Sequence, residues 1–156
     1  MAAAISGMNA HSIIEVDFQA GIPSGWTQTT LATDGGWNAG NATSLSSSYF
    51  AITEHGNFIG TNDDGCNCDK SADVLVSETI DLSSYSGESV RLRFDLFFFE
   101  GTYQGATESF EVKASTNGGS TWTSIYTAAG AADWQNAILV DASAYAGNAN
   151  VNCFRI

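Results

Sequence analysis

The sequence predicts an all-β domain built as a two-sheet antiparallel sandwich, and three observations point there. Strand-forming runs recur about every ten residues, turn residues separate them, and no stretch keeps a helical period. Residues 13–18 read as the first strand, followed by a turn over 22–26. A Gly-, Asn- and Ser-rich loop spans roughly 34–48, and 49–52 and 57–59 are short strands. Residues 62–73 form an acidic, cysteine-containing loop before strand 74–80. The clearest strand is 90–98, where Val90, Leu92, Phe94, Leu96 and Phe98 alternate with Arg91, Arg93, Asp95 and Phe97. That period of two turns one face to a core and the other toward water. Strands follow at 108–115, 121–127, 134–140 and from 150 to the end. Short strands without helices pack as a two-layer sandwich.

Residues 1–12 read as a tail or signal-peptide remnant, and 13–156 as one domain. The end, Asn152-Cys153-Phe154-Arg155-Ile156, reads as an apolar strand cut short, so the domain is expected to continue. With 156 residues and 44% apolar side chains the chain can bury a core. Five Lys and Arg against 17 Asp and Glu give a net charge of −12. That balance excludes phosphate-backbone recognition and an anionic membrane surface, both of which need cationic clusters. No apolar run is long enough to insert into a membrane. His11 and His55 are the two histidines, which leaves imidazole chemistry little to draw on.

The acidic loop carries the strongest chemical signal. Asp63, Asp64, Asp69 and Asp73, with Asn62 and Asn67, repel one another unless a cation compensates, and Lys70 alone does not balance them. Calcium takes six to eight hard oxygen ligands of this kind, although the spacing is not that of an EF-hand. A solvated acidic loop is the plain alternative. Cys66 and Cys68 stand two apart with Cys153 remote, too few ligands for a zinc site, which needs about four. A disulfide is expected, either between Cys66 and Cys68 or from one of them to Cys153.

Two further motifs read as turns. Ser115-Thr116-Asn117-Gly118-Gly119-Ser120-Thr121-Trp122 resembles the Asp-box hairpin, in which Asn and Gly make a tight turn and the Trp packs back over it. Asp81-Leu82-Ser83-Ser84-Tyr85-Ser86-Gly87 recurs as Asp141-Ala142-Ser143-Ala144-Tyr145-Ala146-Gly147, with Asp and Ser capping backbone amides and Gly supplying a positive φ. Among the aromatic residues, Trp37 and Tyr103 lie in loop-like surroundings and are the candidate ligand contacts. A glycosidase reading would need paired carboxylates. Glu15 and Asp17 lack a third acid, since residue 20 is Ala, and Glu108 and Glu111 fall on opposite strand faces.

Taken in order, several segments resemble one family. They are Phe18…Ile22-Pro23…Gly25-Trp26, Asn62-Asp63-Asp64, Ile80-Asp81-Leu82-Ser83 and Phe94-Asp95…Phe97-Phe98. Glu108-Ser109-Phe110-Glu111-Val112, the 115–122 hairpin, Trp134 and Val140-Asp141…Gly147 complete the series. Residues 15–156 thereby resemble the cleaved-adhesin or choice-of-anchor domains, related to MAM domains and to the haemagglutinin/adhesin modules of gingipains. The resemblance implies a MAM-like or galactose-binding-like jelly roll with structural calcium, exported, often by the type IX route, on surface adhesins or secreted peptidases. It also implies Asp63, Asp64, Asp95 and Glu108 as calcium ligands. The expected function is a non-catalytic, calcium-stabilised adhesion module of a secreted or cell-surface protein that binds a glycan or a host or matrix protein. A structural accessory domain of a secreted peptidase and a small glycoside hydrolase are the rivals.

Overall fold

The computed structural model describes residues 11–103 and 105–155, and for residues 103, 106 and 152–155 the backbone alone. Most of the tail expected over 1–12 lies outside the described residues. The chain is all-β. The strands are β1 (Thr27–Thr29), β2 (Asn38–Gly40), β3 (Phe58–Gly60), β4 (Val74–Val76), β5 (Thr79–Ile80) and β6 (Arg91–Leu96). They continue with β7 (Thr102–Tyr103), β8 (Ala106–Thr107), β9 (Glu111–Ser115), β10 (Thr123–Thr127), β11 (Gln135–Asp141) and β12 (Val151–Arg155). Two single-turn helices, α1 (Ala42–Leu45) and α2 (Asp63–Cys66), interrupt them.

A six-stranded antiparallel sheet runs β1-β4-β12-β9-β10, with β5 also paired to β12. Three two-stranded sheets, β11-β6, β2-β3 and β7-β8, complete the described strands, where the sequence predicts two sheets in all. The β6 aromatics nevertheless face the larger sheet. Phe94 meets Tyr126 edge-on at 5.5 Å and tilts against Phe110 at 6.5 Å, while Phe98 lies 6.1 Å from Phe110. Leu75, Val112 and Val151 from β4, β9 and β12 are fully buried.

The alternation over β6 is observed as expected, with Arg91, Arg93 and Asp95 exposed. The 13–18 run is not a strand: it crosses the surface unpaired, with Ile13 and Ile14 exposed and Phe18 at φ 56°. Residues 49–52 are also unpaired. Both runs have strand-forming side chains, but no neighbouring edge accepts their backbone, and pairing is what makes a strand. The reverse error falls at β2, inside the expected 34–48 loop, where Asn38-Ala39-Gly40 pair with β3 despite poor intrinsic preference.

The repeated Asp-x-Ser-x-Tyr-x-Gly segments are two copies of one turn, and they meet. Ser83–Tyr85 and Ser143–Tyr145 are short 3-10 turns. Asp81 Oδ1 accepts the Ser83 amide at 2.8 Å, and Asp141 Oδ1 accepts the Ser143 amide at 2.9 Å. Gly87 and Gly147 take the positive φ expected. The Gly147 amide donates to Leu82 O and the Leu82 amide to Asn148 O, so the two turns brace one another around the buried Leu82.

Candidate functional site

The pairing of β1 with β4 places the 30–37 turn beside the 61–73 loop, because each immediately adjoins one of those strands. Thr30 and Thr61 from farther along the chain therefore join the nearby Lys70 at Asp73. Its carboxylate accepts Thr30 Oγ1 on one oxygen and Thr61 Oγ1 on the other, the latter at 2.6 Å. Lys70 Nζ lies 3.5 Å from the same carboxylate and 2.5 Å from Asp34 Oδ1, and donates to Gly36 O. Asp73 is 2% and Lys70 10% exposed in their side chains, so this is a buried ion pair with its hydrogen bonds satisfied. The Lys70 ammonium, helped by the Gly36 amide, holds the Asp34 carboxyl below its usual range. Asp69 is similarly lowered by Ser71, whose amide it accepts at 2.8 Å.

The remaining acids are differently placed. Asp63 and Asp64 occupy the first turn of α2 and are exposed. No hydrogen bond or ion pair among the described residues reaches either carboxylate. Glu108 is exposed as a residue, but desolvation of its carboxyl pushes it up, and the charges of Asp63 and Asp64 push it further, against a lowering contribution from the Gly101 amide. The charges of Asp63 and Asp64 thus reach Glu108, although among the described residues these three do not bring their oxygens within 4.8 Å of one another; their donor set is of the hard-oxygen type that calcium takes. Asp95 is elsewhere engaged. It stands on β6, where its carboxylate accepts the Ala137 amide at 2.6 Å and lies 2.9 Å from His55 Nε2; these two contacts lower it. His55 in turn stacks on Trp134 at 4.1 Å, an arrangement that sequence reading, with a single loop histidine, did not anticipate.

The loop is closed by a disulfide between Cys66 and Cys68, with Asn67 in the left-handed conformation between them and Cα atoms 5.2 Å apart. Among the described residues, one trio of potential ligands brings its donor atoms within 4.8 Å of one another, and it is Asp34, Cys66 and Cys68. Sequence reading missed Asp34, since only the β1–β4 pairing carries it across.

The two aromatic candidates fare differently from expectation. Trp37 lies in the turn before β2, its backbone bracketed by the Gln28 amide group, but its side chain is buried at 9% exposure instead of standing free. Tyr103 falls in β7, and its side chain lies outside the described residues. Glu15 is exposed on the unpaired run, and Asp17 accepts the Gln19 amide in a surface turn. Glu111 pairs with Lys113 at 2.6 Å along β9.

No protein-family profile and no curated protein matches the chain. Among solved structures, it is similar to the K1 cleaved adhesin domain of Lys-gingipain from Porphyromonas gingivalis W83, with a TM-score of 0.52 and 22% identity. The match covers 88% of this chain and 83% of that one. The fold is gingipain-adhesin-like. At that identity the likeness speaks for architecture, and side-chain roles must come from this chain's own contacts. No helix among the described residues is long and apolar enough to cross a membrane.

Proposed function

We propose that the chain is a non-catalytic adhesion module of a larger secreted or cell-surface protein, a jelly-roll sandwich stabilised by calcium that binds a glycan or an extracellular protein. The observation that carries this reading is the adhesin-domain fold found over 88% of the chain. The calcium part draws its support from Glu108, whose carboxyl the charges of Asp63 and Asp64 help to raise. A divalent ion would draw their carboxylates together and relieve that repulsion. For ligand contact the exposed aromatics are better placed than Trp37: Tyr49 is 85% and Phe99 52% exposed, and Phe50 braces Phe99 at 6.2 Å. Flat apolar rings of this kind stack on sugar faces or anchor a protein partner.

A glycan array and a matrix-protein panel, run in millimolar calcium and again in chelator, test the reading. Binding that is lost in chelator and weakened by Tyr49→Ala or Phe99→Ala is expected. Absence of any bound sugar or protein would favour an accessory, spacer-like role over adhesion.

A further inference from the structure

The Cys66-Asn67-Cys68 pair is two ligands short of a zinc site when read from sequence, and the fold supplies one of them. Lys70 and the Gly36 amide both donate to Oδ1 of Asp34, which fixes that carboxylate over the disulfide and leaves its second oxygen without a partner among the described residues. The donor atoms of Asp34, Cys66 and Cys68 lie within 4.8 Å of one another. Asp34 is solvent-accessible and the cysteines are half-buried, so an ion could enter and retain water. We propose that reduction of the Cys66–Cys68 disulfide converts this corner into a site for one borderline-soft divalent ion of the zinc class, bound by two thiolates and the Asp34 carboxylate with water in the fourth position.

The chemistry balances simply. A dithiol reductant delivers two electrons and two protons to the disulfide and closes to its own cyclic disulfide; the ion then displaces the two thiol protons. Bonds of about 2.3 Å at a tetrahedral centre set the sulfurs roughly 3.8 Å apart. Side-chain rotation covers that movement from Cα atoms 5.2 Å apart. The fold is expected to survive the reduction. So short a disulfide loop restricts the unfolded chain little, and the Lys70–Asp73 pair and its threonines hold the 61–73 segment independently of it. The site differs from the oxygen-rich neighbourhood of Asp63, Asp64 and Glu108 in ligand softness, so the two select different ions.

The test uses the whole chain carrying Cys153→Ser, so that Cys66 and Cys68 supply every thiol. After reduction with dithiothreitol and its removal without oxygen, the protein is titrated with Co²⁺ in millimolar calcium, which occupies hard-oxygen sites. A thiolate-to-cobalt absorption band saturating at one ion per chain, reversed by Zn²⁺ and absent from the oxidised protein, is the expected result. Asp34→Asn keeps an acceptor for Lys70 and should weaken binding by at least about tenfold, the low end of what even an outer-shell partner contributes. Zn²⁺ should also protect both cysteines of the unsubstituted-Asp34 protein from alkylation. No band, no protection, or an affinity indifferent to Asp34→Asn would overturn the proposal.

Discussion

Two polar loops, 61–73 with four Asp and a Lys and 115–122 with no charged residue, are held by opposite physics. The hairpin between β9 and β10 is closed by neutral side-chain hydrogen bonds centred on Asn117. Asn117 Oδ1 accepts Ser115 Oγ and the Thr121 amide, both at 2.9 Å, and Asn117 Nδ2 donates to Thr121 Oγ1 at 2.8 Å. Trp122 lies so close over Gly119 that a Cβ there would meet the indole at 3.1 Å. The acidic loop is instead held by a buried ion pair, a disulfide and contacts to segments thirty or more residues away. A locally closed neutral turn should ignore pH, salt, calcium and reductant; a charged, remotely anchored loop should respond to all four.

The largest expected effect breaks the charged anchor. Asp73→Ala leaves the Lys70 ammonium, 10% exposed, with Asp34 as its remaining carboxylate and takes the shared acceptor from two threonine hydroxyls. Losing the acceptor of two part-buried hydroxyls together with one of two ion-pair partners should cost about 2–3 kcal/mol. Urea denaturation should report that loss, and Asp73→Asn should recover part of it by keeping the hydroxyl bonds. A loss within a few tenths of a kcal/mol, typical of surface substitutions, would mean that the loop is not held by its charges.

Next comes calcium. Extracellular calcium modules have dissociation constants of roughly 0.1–1 mM, and a tenfold excess over such a constant adds about 1.4 kcal/mol of stability. That corresponds to several degrees in a thermal melt for a chain of this size. Asp63→Ala combined with Asp64→Ala should abolish the difference between calcium and EDTA, while leaving the melt in EDTA nearly unchanged. Equal losses in both conditions would mean that the loop binds no metal.

Asn117→Ala sharpens the contrast from the other side. It removes acceptors from the Thr121 amide and Ser115 hydroxyl, and a neutral hydrogen bond of this kind contributes about 1 kcal/mol. The same loss should appear at pH 5 and pH 8 and with or without calcium. Dependence on any of these would show that the hairpin is coupled to the charged loop.

The same contrast explains what the sequence could reveal. The hairpin and the paired 81–87 and 141–147 turns were legible because Asp, Asn, Ser and Gly act on amides a few residues away, so their chemistry is local. The β6 alternation was legible because one face is committed to a core. Residues 13–18 were misread because strand preference names no partner, and β2 was missed because its Asn-Ala-Gly gains its conformation only from β3. Lys70 was counted as one charge against four. Its weight depends on Asp34, Thr30 and Thr61, which sequence spacing keeps apart and the β1–β4 pairing brings together. Trp37 went astray for a related reason: a loop-like composition hid a residue that Gln28 draws into the core.

The smallest effect concerns Glu108 and fixes the sign of the electrostatics. Burial and the charges of Asp63 and Asp64 raise its carboxyl above the ordinary 4.5, so the folded state holds the Glu108 proton more tightly than the unfolded state does. Its contribution to stability is therefore fully present below that ordinary value and is lost as pH rises through the raised one. At neutral pH in EDTA the ionised carboxylate works against the fold, and Glu108→Gln should melt slightly higher than the parent. Below pH 4 both proteins carry a neutral group there and should melt together. Calcium should reverse the order at neutral pH, because the ion rewards the carboxylate that Asp63 and Asp64 otherwise penalise. A parent that stays more stable than Glu108→Gln in EDTA at neutral pH would place Glu108 in a favourable field and remove the repulsion on which the calcium reading depends.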